Sequence, residues 1–517
     1  MNSGGIDPGV VARSGGLTIG GLFCQAVALY PNDVAIVDQR SSVTYAELNV
    51  RVNRLANMLA GRGLFPGDRI AILSENRREF VELEMATAKL GVILACQNWR
   101  QSDAELTYCI ALAAPKLVFA SEALVETIAR LGCDVPAVVF GDQYERLLGS
   151  ASEREPPDSV DGEAGAIILY TSGTTGMPKG ALISHRAEIA RSIIARADYG
   201  LDPRRTFIAW SPLFHIGSTD SVYTTLMGGG KVVIMESLNV SELVEWTTRE
   251  VIGHLTLMPG MVDRVIAEFR RTGVRPKDIT ACGHMADLVP RHQIAEITTL
   301  LQAPYRNSFG STETGNPPAG RGMVPIGVVP ERLSKLQNSF CRIRLVDTED
   351  REVPVGEPGE LTIRGPTLFS GYWQAPETNA EDFRGGWFHM GDVFVRNPDG
   401  TLDFVDRRKY LIKSGGENIY PAEIENALRT SPRISEAVVV RKPDARWGEV
   451  PVAFVVRNDE NLTVEEVVSL CRERIASFKT PKEVFFVADE DLPRSATGKI
   501  KRHELESELK ARAAAAV

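Results

Sequence analysis

The feature that most constrains the fold is an alternation of short β-branched runs with longer amphipathic stretches, from residue 44 to about residue 310. Such alternation is typical of α/β proteins whose largely parallel sheets are covered by helices. Their ligands usually bind at loops that leave the strand ends. We therefore predict an α/β fold, with strands at 69–73, 116–120, 166–170, 206–210 and 231–236 and helices at 79–90 and 240–250.

The pattern changes near residue 342 to strands separated by turn residues, which predicts an antiparallel β module over 342–406. After residue 406 a small α+β unit begins, of a size typical of an independent domain. We predict an N-terminal domain of residues 1–406 and a C-terminal domain of residues 407–517. Within the latter we expect helices at 421–429 and 464–476, strands at 436–442, 449–457 and 483–488, and a final helix.

Composition excludes several classes of protein. The chain has 517 residues, 44 % of them hydrophobic, and a net charge of −9 with scattered basic residues, so nucleic acid is not an expected partner. The seven cysteines form no CxxC pair, which indicates neither a disulfide framework nor a zinc site and favours a reducing cytoplasm. No run approaches the roughly 20 apolar residues of a membrane span. We expect no integral membrane segment.

The strongest local signal is the run Tyr-Thr-Ser-Gly-Thr-Thr-Gly-Met-Pro-Lys-Gly at 170–180, after an apolar strand and before a helix predicted to begin near His185. Glycines let backbone N–H groups approach an anion, hydroxyls add donors, and Lys179 supplies countercharge, as polyphosphate binding requires. The run differs from GxxxxGK[ST], because Met-Pro separates Gly176 from Lys179, so an ordinary P-loop is disfavoured. The alternative for such a composition is a surface linker.

The order of residues in this loop resembles the signature of the adenylate-forming superfamily, which includes acyl-CoA synthetases, adenylation domains of peptide synthetases and beetle luciferases. Further motifs follow in the family's order, and the resemblance extends from about residue 44 to residue 501. It implies that the loop binds ATP through Thr171, Ser172, Gly173, Thr174, Thr175, Gly176 and Lys179.

The run Phe309-Gly-Ser-Thr-Glu313 resembles the family's second core motif and follows a short strand-like segment at 305–308. A carboxylate beside phosphates requires a divalent cation between them, and Mg²⁺ favours such oxygens. The resemblance makes Glu313 the metal ligand, Thr312 a partner of the α-phosphate and Phe309, followed by Gly310, the surface that stacks on adenine. The family usually has Tyr at position 309, and Phe keeps the face without the hydroxyl. A Glu near a turn is otherwise usually a solvated charge.

Two further segments resemble the family's ribose-binding and hinge motifs. Asp392, in Trp-Phe-His-Met-Gly-Asp, would accept hydrogen bonds from the ribose, and Arg407 would contact the same sugar. By resemblance Lys409 is the pivot of a hinge near 407–411, on which a mobile C-terminal lid turns between adenylation and thioester formation. Gly416 would leave room for the pantetheine of coenzyme A. Each residue taken alone is compatible with an ordinary turn or a solvated charge.

The run Pro-Arg-Ser-Ala-Thr-Gly-Lys499 resembles the motif that carries the family's catalytic lysine. Attack of a carboxylate on the α-phosphate brings two anions together and builds charge on the bridging oxygen. A preorganised ammonium relieves both, and electrostatic stabilisation of this kind is often the largest catalytic effect. The alternative is an ordinary surface lysine near the terminus.

The segment Ser-Pro-Leu-Phe-His-Ile-Gly at 211–217 resembles the lining of the family's acyl pocket, with His215 as a gate toward the thiol tunnel. Peptide-synthetase domains would be expected to place an Asp here, so its absence argues against amino acids. Met258, Met261 and Met285 suggest an adaptable apolar wall, although Met is more often core. No Arg or Lys near these motifs points to a second carboxylate. We favour an apolar monocarboxylic acid that is fatty, alicyclic or aromatic.

The resemblance therefore implies an ATP-dependent carboxylate–CoA ligase with Mg²⁺ as cofactor and ATP and CoA as co-substrates, acting in fatty acid metabolism or a related pathway. Two rivals are an acyl-AMP ligase that loads a carrier protein and a catalytically silent nucleotide-binding module on the same fold. A luciferase-like oxidase is chemically feasible but has no supporting feature. A homodimer is left open.

Overall fold

The computed structural model describes residues 14–171, 177–415, 417–444, 446–494 and 500–515. Its contacts divide the chain into two compact units, each described by itself. The large unit comprises residues up to 342 together with 364–386, and the small unit comprises 343–363 together with 387–517. The β module thus groups with the C-terminal residues, whereas the predicted boundary at 406/407 separates them. That boundary and its hinge stay predictions.

A six-stranded sheet forms one half of the large unit. All its neighbours are parallel except the last pair, in which the outer strand runs antiparallel to its neighbour. Two of its central strands are buried at every residue, because helices cover both faces. In spatial order the strands are Ala137–Val139, Leu117–Ala120, Arg69–Leu73, Ile93–Cys96, Gly165–Thr171 and Lys179–Ser184.

An eight-stranded sheet forms the other half, with a parallel centre and one antiparallel strand at each edge. A core of buried aliphatic and aromatic side chains, among them Ile252, Phe269 and Tyr305, packs against it. In spatial order the strands are Gly322–Val324, Tyr305–Asn307, Asp278–Cys282, Val251–Leu255, Thr206–Ala209, Lys231–Ile234, Val34–Val37 and Ser42–Thr44.

Several helices of the large unit begin at a residue whose side chain caps the free N–H groups. Thr44 with Glu47 and Ser102 with Glu105 form reciprocal capping boxes, and Ser184 caps the helix that begins at His185. The helices are Ile19–Leu29, Tyr45–Gly61, Arg78–Leu90, Asp103–Ala113, Val125–Leu131, Asp142–Gly149, His185–Tyr199, Ile216–Gly228, Val240–Arg249, Val262–Thr272, Arg291–Leu301 and Pro376–Asp382.

The small unit contains two sheets. A four-stranded sheet pairs Arg342–Val346, Pro358–Arg364, Phe388–Arg396 and Leu402–Arg407 in that order, antiparallel across Pro358–Arg364, Phe388–Arg396 and Leu402–Arg407 as the turn pattern predicts. A five-stranded sheet contains Glu417–Ile419, Ile412–Ser414, Gly448–Arg457, Ile434–Asp444 and, parallel to Gly448–Arg457, Glu483–Phe486.

Strict alternation along Ile434–Asp444 explains how this second sheet is covered. Ala437 and Val439 join a core with the helices Pro421–Leu428 and Val464–Arg472, whereas Val438 and Val440 face a core with the helix Arg502–Ala515. The predicted α/β class is confirmed, with parallel-rich sheets followed by a smaller α+β part. Within the described ranges, no helix is long and apolar enough to cross a bilayer.

Candidate functional site

The predicted phosphate loop lies in sequence between two strands that pair with each other. The strand Gly165–Thr171 pairs antiparallel with Lys179–Ser184, and the register sets Thr171 opposite Lys179. Ser172, Gly173, Thr174, Thr175 and Gly176 lie outside the described residues. The helix begins at His185 as predicted, but a strand that the sequence analysis did not separate intervenes. Both ends of the loop are therefore fixed in a sheet.

Tyr372 joins this hairpin to the second core motif. Trp373 N–H donates to the carbonyl of Gly180 at 2.7 Å, which holds the segment beside the outer strand. The Tyr372 hydroxyl donates to Oε1 of Glu313 at 2.7 Å. Lys179 Nζ lies 4.7 Å from the centre of the Tyr372 ring. An ammonium and a carboxylate, predicted from motifs far apart in sequence, thus contact the same side chain.

The second core motif is itself a tight hairpin between Gly310–Ser311 and Gly315–Pro318. A Cβ at Gly310 would lie 1.9 Å from the carbonyl oxygen of Gly315, so only glycine fits there. Phe309 exchanges backbone hydrogen bonds with Ala319 in both directions, at 3.0 and 3.3 Å. The predicted adenine platform is therefore anchored through its backbone, and its ring is half-buried.

Arg191, which was not identified from the sequence, donates hydrogen bonds to the backbone of the second core motif and of a neighbouring segment. Its side chain is fully buried, and its Nη2 and Nε donate to the carbonyls of Thr312 and Thr367, each at 3.1 Å. Nη1 contacts Asp220 Oδ1 at 3.2 Å. One guanidinium therefore ties the backbone of the core motif to a neighbouring segment and to the helix that follows His215.

The donor set at Glu313 fits a magnesium ion. One carboxylate oxygen is oriented by Tyr372, the residue is partly exposed, and Lys179 is near. No group of three or more His, Cys, Asp or Glu side chains suited to a metal occurs in the part of the chain that the structure describes. Mg²⁺ often takes only one or two protein carboxylates and completes its shell with water and phosphate oxygens. A single carboxylate beside a phosphate loop matches that preference.

His215 begins the helix Ile216–Gly228, and its Nδ1 accepts a hydrogen bond from Gly217 N–H at 3.3 Å. It is close enough to contribute to the lowering of the pKa of His284, which lies well below its usual 6.5 chiefly because of burial and the charge of Arg306. The His284 ring is 4.6 Å from that of His254. Burial and the charge of Arg306 lower the pKa of His254 as well, and Met261 is buried in the core.

In the small unit the two predicted ribose contacts are paired. Asp392 and Arg407 face each other across neighbouring strands, with Arg407 Nε 3.1 Å from Asp392 Oδ1. The carboxylate is almost fully buried and the arginine is exposed along part of its length. The structure thus brings the two residues together in one ion pair, and their contact with a ribose stays a prediction.

The predicted hinge follows directly as a short 3₁₀ turn, Arg408–Tyr410, with Lys409 Nζ 4.9 Å from the Tyr410 ring centre. Asp406 anchors the turn by accepting the N–H groups of Arg407 at 2.6 Å and Ala422 at 2.7 Å. Burial raises the pKa of Asp406. Gly416 and Lys499 lie outside the described residues.

Comparison with known proteins gives the following matches. The chain matches the family described as AMP-binding enzyme over residues 23–373 and the AMP-binding enzyme C-terminal domain over residues 423–499. It is 32 % identical over 487 residues to feruloyl-CoA synthase of an Amycolatopsis species, covering 92 % of this chain and 96 % of that protein. It is also 32 % identical over 496 residues to a fatty acid–[acyl-carrier-protein] ligase of Streptomyces coeruleorubidus, with coverage of 92 % and 93 %.

Among solved structures, O-succinylbenzoate coenzyme A synthetase from Bacillus subtilis, in complex with ATP and magnesium ion, superposes with a TM-score of 0.79. The two sequences are 26 % identical, and the match covers 94 % of this chain and 98 % of that one.

Proposed function

This chain belongs to the AMP-binding enzyme family of adenylate-forming enzymes and is an AMP-forming acid–thiol ligase, and we propose that it is a carboxylate–CoA ligase. In the first half-reaction a carboxylate oxygen attacks the α-phosphorus of ATP, giving the acyl-adenylate and pyrophosphate. In the second, the CoA thiolate attacks the acyl carbon and expels AMP. The observation that carries the proposal is the contact of Tyr372 with both Glu313 and Lys179 at the ends of the two nucleotide motifs.

For the chain's own residues we propose the roles that the family resemblance implies and that agree with their charge. Lys179 and the N–H groups of its loop bind the phosphates, and Thr312, held through its carbonyl by Arg191, contacts the α-phosphate. Arg407 and Asp392 bind the ribose as a pair. When bound at Glu313, Mg²⁺ supplies countercharge to phosphate oxygens. Lys499 stabilises the negative charge that builds during attack.

The second half-reaction needs the catalytic lysine to withdraw and a path for the thiol. We propose that the domain of residues 407–517 turns at Lys409, with pantetheine passing Gly416. Gating by domain motion is a recognised way to run two steps in one site. For the acid we propose a largely apolar body, which agrees with the sequence segment around His215 and with relatives named for feruloyl and fatty acids.

The deciding experiment is a pyrophosphate-release screen over fatty, alicyclic and aromatic acids, followed by CoA titration of the hits. We expect ATP to be converted to AMP and pyrophosphate in equal amounts, with acyl-CoA formed when CoA is added. A chain that binds ATP but yields no AMP with any acid would be a silent binding module.

A second candidate, favoured by the carrier-protein ligase among the relatives, is transfer to a phosphopantetheinyl carrier protein. In that case acyl-adenylate would form, CoA would not accept the acyl group from it, and an added carrier protein would.

We also propose that the protein is a homodimer, which size-exclusion chromatography with light scattering tests.

Measuring the two half-reactions separately tests the roles proposed for Lys499 and Gly416. We expect Lys499→Ala to abolish pyrophosphate exchange and to leave thioester formation from supplied acyl-adenylate largely intact. Lys501→Ala is the matched control, because Lys501 is partly exposed and pairs with Glu504. Equal loss of both half-reactions in Lys499→Ala would remove its assigned role.

A variant at Gly416 tests the proposed path of pantetheine, and its expected result is the opposite of that for Lys499→Ala. Gly416→Leu should leave adenylation intact and slow thioester formation, since a side chain would narrow the proposed path of pantetheine. Unchanged CoA turnover in this variant would show that the thiol takes another route.

A further inference from the structure

Tyr372 contacts two residues of opposite charge with different parts of its side chain. Its hydroxyl donates to Oε1 of Glu313 at 2.7 Å, whereas Lys179 Nζ lies 4.7 Å from the centre of its ring. Only 8 % of the residue is exposed. One buried side chain therefore contacts both the proposed metal ligand and the proposed phosphate-binding lysine, although it belongs to neither motif.

A single side-chain amide holds the backbone of Tyr372 on both sides. Asn379 Oδ1 accepts the Tyr372 N–H at 2.7 Å, and Asn379 Nδ2 donates to the Tyr372 carbonyl at 2.8 Å. Gly371 precedes this residue with φ 100°, and a Cβ there would lie 3.1 Å from Asn379 Oδ1. Glycine therefore supplies both the backbone conformation and the space for the amide. The chain itself fixes where Tyr372 stands.

The same segment also holds Glu313 at two points. The Phe369 ring packs edge-on against the Tyr372 ring with 4.8 Å between centres, and Phe369 N–H donates to the Glu313 carbonyl at 2.9 Å. The Tyr372 hydroxyl then restrains Oε1 of the carboxylate. Within the part of the chain that the structure describes, no protein donor contacts Oε2. One oxygen is thus oriented and the other is left for a cation.

This is the arrangement that a metal-binding carboxylate needs. A ligand to a metal is usually oriented by a hydrogen bond from a neighbouring group, and loss of that group typically lowers metal affinity about 10- to 100-fold. The face of an aromatic ring attracts an ammonium group and restrains it without removing its charge. Tyr372 offers the first interaction to Glu313 and the second to Lys179.

We propose that Tyr372 is a positioning residue for the first half-reaction. Its hydroxyl orients Glu313 toward Mg²⁺, and its ring orients Lys179 toward the phosphates of ATP. The hydroxyl therefore sets the affinity for the metal, and the ring contributes to the affinity for the nucleotide itself. This inference rests on the proposed ligase function and gives the two nucleotide motifs a shared support.

The test measures ATP binding by isothermal titration calorimetry in the absence of any acid, once with saturating Mg²⁺ and once with EDTA. The dissociation constant in EDTA divided by that in Mg²⁺ gives the metal affinity of the enzyme–ATP complex relative to that of free ATP, by linkage. We expect this ratio to exceed one for the wild type. In Tyr372→Phe it should fall by about 10- to 100-fold, with the constant in EDTA unchanged.

Two further variants separate the hydroxyl from the ring and from general effects on folding. Tyr372→Leu removes the ring as well, so the dissociation constant in EDTA should rise about 2- to 5-fold, the equivalent of an exposed cation–π contact. Tyr144→Phe is the matched control, because the Tyr144 hydroxyl also donates to a glutamate, Glu82 Oε2, at 2.7 Å. Both constants should keep their wild-type values in that variant.

The outcomes are distinct. A wild-type ratio of one or less, or a Tyr372→Phe ratio equal to that of the wild type, would overturn the inference, even if both constants rise together. A constant in EDTA that is the same for Tyr372→Leu and the wild type would remove the role of the ring. The ligase function is decided separately, because failure to form AMP with every acid would reject it whatever the binding ratio shows.

Discussion

Arg191 and Arg306 are both buried in the large unit, and the chain compensates them in opposite ways. Arg191 is surrounded by acceptors: Asp220 at 3.2 Å, Glu188 at 3.7 Å and two backbone carbonyls. Arg306 meets an amide oxygen and an aromatic face, with one N–H group left without a partner.

The difference shows that burial of a guanidinium does not by itself reveal its role. A fully compensated arginine acts as scaffold, because its partners are all internal and its removal leaves them unpaired. An arginine held by an amide oxygen and an aromatic face leaves no carboxylate unpaired when it is removed. The two arginines should therefore respond differently to the same substitution.

Arg191→Met should have the largest effect on folding. It leaves the buried Glu188 and Asp220 without their cation and frees the carbonyls of Thr312 and Thr367, so we expect unfolding free energy to fall by about 3–5 kcal/mol. Urea titration followed by tryptophan fluorescence measures this, with the exposed Arg270→Met as matched control. A variant as stable as wild type would show that the cluster does not depend on its arginine.

Glu188→Gln should have an intermediate effect that depends on pH. Burial and then the neighbouring Asp220 raise the pKa of Glu188 well above 4.5, so the folded state holds a proton that the unfolded chain releases. The stabilising contribution is complete below pH 4.5 and is lost as pH rises. Arg191, Asp220, Glu84 and Tyr223 are the titratable groups that face it.

Because glutamine stays neutral, the stability of Glu188→Gln relative to wild type should improve between pH 5 and pH 8 by at least about 1 kcal/mol, the equivalent of one pKa unit. Urea titrations at several pH values measure this, with Glu126→Gln on an exposed helix face as control. Parallel pH profiles for Glu188→Gln and wild type would contradict the assignment of the proton to this carboxyl group.

Arg306→Met should have the smallest effect on stability, even though the residue is almost fully buried. Its side chain has no carboxylate to leave unpaired among the described residues, and replacing a buried ion by an apolar group of similar volume is often neutral. We expect a change below about 1 kcal/mol in the same urea titration. A loss as large as that of Arg191→Met would make Arg306 a second scaffold arginine.

Much of the fold was predictable because its strands are short, continuous and β-branched. The predicted strand 69–73 matches Arg69–Leu73, and helices 79–90 and 240–250 match Arg78–Leu90 and Val240–Arg249. The predicted strands 436–442 and 449–457 lie within the observed strands Ile434–Asp444 and Gly448–Arg457. The strand Lys179–Ser184 was not predicted. In sequence it lies directly between the glycine-rich run and the helix, and no turn residues separate it from that helix.

The candidate site residues were predicted from local motifs and the family resemblance, and their roles stay predictions. Glu313, Lys179, Asp392 and Arg407 come from contiguous runs, and the structure brings Glu313 near Lys179 and pairs Asp392 with Arg407. Tyr372 carries only the weak signal of a Gly-Tyr-Trp run.

Arg191 and Arg306 were not predicted from the sequence, for a different reason. Each is distinguished by what surrounds it in three dimensions. Arg191 has carboxylates from its own helix and from a later one, whereas Arg306 has no carboxylate at ion-pair distance among the described residues. Periodicity and motif order do not contain that information.

The outer strand Lys179–Ser184 has a consequence for synthesis of the chain. Its outer edge is hydrogen-bonded to residues 370–373, for example by Leu182 N–H to the Gly371 carbonyl at 3.0 Å. At about 5–20 residues per second, the ribosome needs roughly 10 to 40 s to supply that cover. During that interval the nascent sheet presents an open row of peptide groups, which other chains can pair with. The number of residues between Lys179–Ser184 and the segment 370–373 therefore sets how long this edge stays open to aggregation.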